Sequence, residues 1–224
     1  REVRRLREGG DAMADPKHAG ISWVERQARH QARTFVVLSD RSQDRALAQG
    51  PIALAEVQAY AYEAALSGAA LLDAFGRPGG DHWRSWAGAL KQRFRTTFWV
   101  EDERGRFPAL ALDARKRPVD SVSSNIGHLL GTGILDPDEQ RLVVDRLLDP
   151  TMFSGYGVRT LSTTNGAYWP LRYHAGSVWS HDTALAVEGM LRDGFTEAAA
   201  LVAEGLLRAA EGFDYRLPEL FGGQ

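Results

Sequence analysis

The sequence predicts an all-α fold of successive helical hairpins, an α/α toroid or a helical solenoid, with a small β-hairpin inserted near residues 99–112. Three observations lead there. Alanine-rich segments with apolar residues at steps of three and four recur along the chain. Short joints containing Gly or Pro tie these segments into pairs. One long loop, residues 153–179, gathers aromatic and polar side chains, which is where a rigid helical scaffold tends to carry function.

The first helix is expected over residues 51–75, with Pro51 in its first turn, Leu54, Val57, Ala61 and Ala65 at helical spacing, and Gly76 as its stop. The second is expected over 81–98, behind Asp81 as N-cap, with Trp83, Trp86, Leu90 and Phe94 in one stripe. Phe98-Trp99-Val100, a charged turn over 101–106, and the apolar run from Phe107 to Leu112 read as the β-hairpin. Helical pattern resumes over 121–134 and again over 138–148 behind Asp136-Pro137, giving a second helical hairpin. After the loop, segments 181–191, stopped by Gly194, and 196–210 form a third.

With 224 residues and 44% apolar side chains, the chain can bury the core of one domain. Its 27 basic and 29 acidic residues are interspersed, which excludes a nucleic-acid footprint and a polybasic membrane patch and points to a neutral or small partner. The absence of cysteine removes disulfides, thiolate metal sites and cysteine nucleophiles, and fits a reducing compartment. Arg1-Glu2-Val3-Arg4-Arg5-Leu6-Arg7-Glu8 lacks the apolar core of a secretory signal, and no apolar run approaches the ~20 residues that span a bilayer. A soluble, cytoplasmic protein is expected.

The densest chemical constellation runs from Tyr168 to Asp182 and holds Trp169, Arg172, Tyr173, His174, Trp179, His181 and Asp182. Aromatic faces stack on the C–H faces of a pyranose, while His, Asp and Arg bond its hydroxyls. Packed core and a simple helix cap by Asp182 account for the same residues as well. Asn125 and His128 stand three apart in Ser121-Val122-Ser123-Ser124-Asn125-Ile126-Gly127-His128 and can project from one face, although a satisfied core histidine would look alike. Glu219, in Leu217-Pro218-Glu219-Leu220-Phe221, is either a pocket carboxylate able to act as a base on water or an exposed loop residue. No His-x-x-x-His pair, Gly-x-Ser-x-Gly elbow or Gly-rich phosphate loop is present.

Four segments occur in one order: Pro51-Ile52-Ala53-Leu54-Ala55-Glu56-Val57-Gln58-Ala59-Tyr60, Ser124-Asn125-Ile126-Gly127-His128, Tyr173-His174-Ala175-Gly176-Ser177-Val178-Trp179-Ser180-His181-Asp182 and Leu217-Pro218-Glu219-Leu220-Phe221. Together they resemble the catalytic domain of bacterial amylo-α-1,6-glucosidases, relatives of the glycogen-debranching glucosidase in the six-hairpin glycosidase class. The resemblance covers residues 51–224 and leaves 1–50 as a diverged N-terminal segment. It implies a partial (α/α)6 toroid and inverting hydrolysis of an α-1,6-glucosidic bond in an oligosaccharide or α-glucan, with no metal or organic cofactor. It also implies that Glu219 is the general base and that Trp179, His174, His181, Asp182, Asn125, His128 and Gln58 line the sugar subsite.

Two departures qualify that implication. The family's acid is expected in an Asn-Gln-Gly-Trp-Lys-Asp-Ser-like run about 16 residues before the Pro-Ile-Ala-Leu segment; here that window reads His30-Gln31-Ala32-Arg33-Thr34-Phe35-Val36, with Phe35 at the place of the Asp. Phe cannot donate a proton, so hydrolysis is expected to be impaired unless Asp40 or Asp44 substitutes. Ser180 replaces the family's usual Pro after Val-Trp. About six or seven helices are expected against the twelve of a complete toroid, so the family's N-terminal β-rich domain and closing helices are expected in a full-length relative. The alternative expectation is a non-catalytic glycan-binding or structural helical module.

Overall fold

Pro51 does not begin the first helix, because the chain is first drawn into a sheet. The computed structural model describes residues 48–224. Ala53–Leu54 (β1) pairs antiparallel with Ala111–Leu112 (β4), and only then does α1 run over Ala55–Ala74. Leu54 caps α1 in extended conformation, and the Ala55 amide donates to the Leu110 carbonyl at 3.0 Å, so a neighbouring segment does the work of a capping side chain. The other end follows the sequence. Gly76 is left-handed (φ +61°), and Arg77 and Gly76 amides donate back to Leu72 and Asp73 carbonyls, a Schellman closure.

The second helix, α2, spans Gly80–Thr97 and is capped by Gly79, not by Asp81. Asp81 lies inside the first turn, where its charge favours the helix dipole and binds Arg84 at 2.9 Å. The expected Trp stripe is also revised. Ala87, Leu90 and Phe94 face the core, whereas Trp83 and Trp86 remain exposed and line an open groove of about 860 Å³ with Leu71, Leu72, Phe75 and Arg77. None of the candidate site residues lines it.

The β-hairpin is shorter than residues 99–112. Trp99–Asp102 (β2) and Gly105–Pro108 (β3) pair through a Glu103-Arg104 turn, and β4 then leaves to join β1 and Pro118–Val119 (β5) in a three-stranded sheet ordered β1-β4-β5. The buried Arg146 guanidinium forks onto Asp102 at 2.7 and 2.8 Å and lies over the Phe107 ring, fixing the hairpin to the third helix. That helix, α3 (Pro137–Leu148), starts with Asp136 and Glu139 in a reciprocal capping box.

No α-helix forms over 121–134. Ser123 bridges to Leu161 as extended chain, and Ser124–Leu129 winds as a 3-10 helix. The polar Ser-Ser-Asn sequence, with side chains that compete for backbone groups, disfavours a regular helix there. After the long loop, Val178–Trp179 (β6) leads into α4 (Ser180–Arg192), followed by α5 (Thr196–Glu211) and Leu220–Phe221 (β7), which pairs with β6.

The core gathers around the 3-10 helix, which α1, α3 and α4 all contact. Ile126 and Leu129 are fully buried with Leu147, Met152 and Met190. Gly127 and Gly189 make this approach possible: a Cβ on Gly127 would meet Ala186 Cβ at 2.9 Å, and one on Gly189 would meet Leu130 backbone at 2.8 Å. Among the described residues no helix is long and apolar enough to cross a membrane.

Gly189→Ala is therefore expected to destabilise the chain by about 1–3 kcal/mol in urea denaturation. Gly68→Ala, on the same scale, adds a Cβ in open space within α1 and is expected to stabilise by about 0.5–1 kcal/mol.

Candidate active site

Three elements that the core draws together present their polar side chains to one another. Glu56 and Tyr60 stand one turn apart on α1, Asn125 and His128 one turn apart on the 3-10 helix, and Asp182 lies in the first turn of α4. Asn125 Nδ2 donates to Glu56 Oε1 at 2.8 Å, while Ser123 Oγ donates to Asn125 Oδ1 at 2.9 Å. Tyr60 Oη bonds His128 Nδ1, and His128 Nε2 bonds Asp182 Oδ1. In the neutral ring these partners place the proton on Nε2, with Tyr60 donating to Nδ1.

Electrostatics tighten the cluster. Burial pushes the Glu56 carboxyl up to about 6, with the Asp182 charge adding to the rise and the backbone and Asn125 hydrogen bonds and the His128 charge opposing it. For His128, burial opposes the charged form, but the Asp182 hydrogen bond and the Asp182 and Glu56 charges outweigh it and raise the pKa above 6.5. Tyr60 is pushed up to about 12 by burial and by the nearby Glu56, Asp182 and Glu63 carboxylates, so it is a donor near neutrality. Among the described residues, Glu56 Oε2 and Asp182 Oδ2 are buried and have no hydrogen-bond partner.

A second group forms around the β6–β7 pair, whose register sets Trp179 opposite Leu220, next to Glu219. Tyr173 Oη donates to Glu219 Oε1 at 2.9 Å. The His174 ring stacks on Trp179 (centroids 5.2 Å, 14° between planes), Tyr173 meets Trp179 edge-on at 4.8 Å, and Trp179 Nε1 donates to the Tyr173 carbonyl. Burial lowers the His174 pKa, against the raising effect of the Glu219 and Asp182 charges. His174 therefore feels both groups. Ser180 Oγ donates to the Pro218 carbonyl at 3.1 Å, joining the start of α4 to the segment that carries Glu219. Beyond β7, the Gly223 carbonyl accepts from Tyr168 Oη at 2.7 Å and from Arg159 Nε, which pins the arm. A Cβ on Gly223 would lie 1.8 Å from the Gly176 carbonyl oxygen, so only glycine passes there.

Of the residues singled out in the sequence, Asn125, His128 and Asp182 fall in the first group, and His174, Trp179 and Glu219 in the second. Gln58 turns back onto its own helix, with Nε2 donating to the Leu54 carbonyl at 3.1 Å. His181 is the exposed second residue of α4. Phe35, Asp40, Asp44 and residues 1–47 of the N-terminal segment lie outside the described residues. Sequence reasoning passed over Glu56 and Tyr60. An acid in the first turn of a largely apolar, Ala-rich helix, four residues before a Tyr, was the available signal. Among the described residues no group of three or more His, Asp or Glu is arranged to hold a metal ion.

Because folded Glu56 holds its proton more tightly than the unfolded chain, it favours folding fully below pH 4.5, and that contribution is lost as pH rises through about 6. A shift of this size corresponds to about 2 kcal/mol. Thermal melts across pH 4–7 should therefore show Glu56→Gln gaining stability relative to the unaltered chain as pH rises, with the difference level below 4.5 and above 6.

The family model of the mannosylglycerate hydrolase MGH1-like glycoside hydrolase domain matches residues 8–218. The neutral trehalase Nth1 from Saccharomyces cerevisiae superimposes with a TM-score of 0.66 at 14% identity, covering 77% of this chain and 34% of that one. The GH63 mannosylglycerate hydrolase from Thermus thermophilus does so at 0.61 and 17% identity, covering 72% of this chain and 38% of its own length. At such identities the likeness is one of fold, that of (α/α)6 glycosidases, and the chain spans little more than a third of these structures. No curated protein sequence matches the chain.

Proposed function

The chain belongs to the mannosylglycerate hydrolase MGH1-like glycoside hydrolase domain family, and from that premise we propose that it carries the base half of an inverting α-glucosidase site, impaired by the loss of its acid. The observation that supports this best is a carboxylate beside an aromatic platform: Glu219, held by Tyr173, next to the stacked His174 and Trp179. Inverting hydrolysis needs one carboxylate to take a proton from water and a carboxylic acid on the other side to protonate the leaving oxygen. Glu219 serves as the base, Trp179 and His174 as the surface for the sugar ring, and Asn125, His128 and Asp182 as hydroxyl partners, with His181 and Gln58 at the rim. No metal or organic cofactor enters this scheme.

Phe35 at the position expected for the acid makes the impairment specific. General acid assistance contributes ~10²–10⁴-fold, and its loss matters most where the leaving group is a sugar alkoxide. The α-1,6 branch of an oligosaccharide or α-glucan is the finer substrate assignment, and it follows the motifs around Asn125, Trp179 and Glu219. Because the chain spans little more than a third of the solved relatives, the activity and substrate of a whole protein are part of this proposal. A non-catalytic glycan-binding module is the second reading. Phe35 favours it, and the Glu219–Tyr173 pair counts against it.

Glucosyl fluoride, whose leaving group departs without a proton, separates the two. The unaltered chain is expected to hydrolyse it, to release little glucose from an α-1,6-branched oligosaccharide, and to lose fluoride hydrolysis ~10²–10⁴-fold in Glu219→Gln. Phe35→Asp is expected to restore glucose release from the branched substrate. Turnover that is indifferent to Glu219→Gln would sink the assignment of the base, and absence of turnover on the fluoride, the branched substrate, trehalose and mannosylglycerate would leave the binding reading.

A further inference from the structure

Glu56, which has no assigned role, shares with Asp182 an arrangement that sets both apart. Each carboxyl has one oxygen committed and one free. Glu56 Oε1 accepts from Asn125 Nδ2 at 2.8 Å, and Asp182 Oδ1 is bonded by His128 Nε2. The committing partners are themselves tied down, Asn125 by Ser123 Oγ and His128 by Tyr60. Glu56 Oε2 and Asp182 Oδ2 are both buried and, among the described residues, without a partner. A buried carboxylate oxygen left unpaired is costly, and native proteins retain such groups where a ligand, ion or water pairs with them.

We propose that Glu56 is a sugar-recognition residue acting with Asp182, the free oxygen of each accepting a hydrogen bond from a different hydroxyl of one bound glucosyl ring. The inference rests on the hydrolase reading and adds to the same site a residue outside the motif-derived set. Three features favour a polyol over other occupants. Locked acceptors shielded from bulk water form strong charge-assisted bonds to neutral hydroxyl donors. The His128 imidazole bonded to Asp182 opposes a cation there, and no group of three His, Asp or Glu among the described residues is arranged to hold a metal. Asp182 stands three residues after Trp179 where β6 enters α4, Ser180 between them bonds the Pro218 carbonyl next to Glu219 at 3.1 Å, and the Asp182 charge also reaches His174. Glu56 and Asp182 thus supply the buried acceptors of a site whose exposed side is Trp179 and Glu219. Acceptors set to receive particular hydroxyls discriminate against sugars lacking them.

The test is calorimetric binding of glucose and of 2-, 3-, 4- and 6-deoxyglucose to the full chain and to its Glu56→Gln and Asp182→Asn variants, with melting curves confirming that each is folded. The unaltered chain is expected to bind at least one deoxy sugar tenfold or more weakly than glucose. Glu56→Gln should bind glucose about tenfold more weakly and lose that discrimination, while Asp182→Asn loses it at another hydroxyl. Should Glu56→Gln fail to fold, Glu56→Asp, which withdraws the carboxyl by one methylene, must show the same loss. A glucose affinity unchanged in the Glu56 variants, or deoxy penalties equal to those of the unaltered chain, overturns the proposal and leaves the hydrolase reading intact. An unaltered chain that binds none of the five sugars overturns both.

Discussion

The near-contact of α4 with the 3-10 helix at Ser124–Leu129 is the constraint on which the rest depends. Gly127 faces Ala186 and Gly189 faces Leu130 with no room for a methyl group on either glycine, and the backbones close accordingly. That closeness brings His128 within hydrogen-bonding reach of Asp182, and α1, packed on the same short helix, brings Glu56 to Asn125 and Tyr60 to His128. A wider spacing would leave the same residues as separate surface groups. The apolar packing of Ile126, Leu129, Leu147 and Met190 thus sets the geometry of the polar network above it.

Within the network, desolvation and pairing pull in opposite directions. Burial raises Glu56, whereas Asp182 keeps His128 prone to protonation despite its burial. Glu56 reaches His128 through its charge rather than by contact, since its own hydrogen bond goes to Asn125. The exposed group behaves differently. Glu219 lies in solvent, and its bond to Tyr173 does more to orient it than to stabilise the fold. On the proposed reading, the buried cluster would hold the sugar and the exposed carboxylate would activate the water that attacks from the open side.

The α1–α2 hairpin shows where local pattern loses to tertiary context. Its stop at Gly76 and its apolar spacing were legible, because a left-handed turn after a helix requires glycine. Its start was not, since strand pairing with Ala111–Leu112 takes Ala53 and Leu54 out of reach of a helix. Trp83 and Trp86 lie at steps of three and four with Leu90 and Phe94, yet the helix turns Ala87, Leu90 and Phe94 inward and leaves both tryptophans out. Periodicity finds a stripe, but which part of it meets a partner depends on what the rest of the fold supplies.

The sequence by itself determined the all-α class, the helices over α2 to α5 within a few residues, the β-hairpin at Trp99 and the motifs around Asn125, Trp179 and Glu219, since these rest on local periodicity, turn chemistry and recurring residue order. Tertiary structure alone decided that α1 starts only at Ala55, after the pairing of Ala53 and Leu54 with Ala111 and Leu112, and that Glu56 and Tyr60 belong with Asn125, His128 and Asp182. Those outcomes depend on contacts between residues 54 to 69 positions apart, closed by glycines whose value lies only in the neighbour they let in.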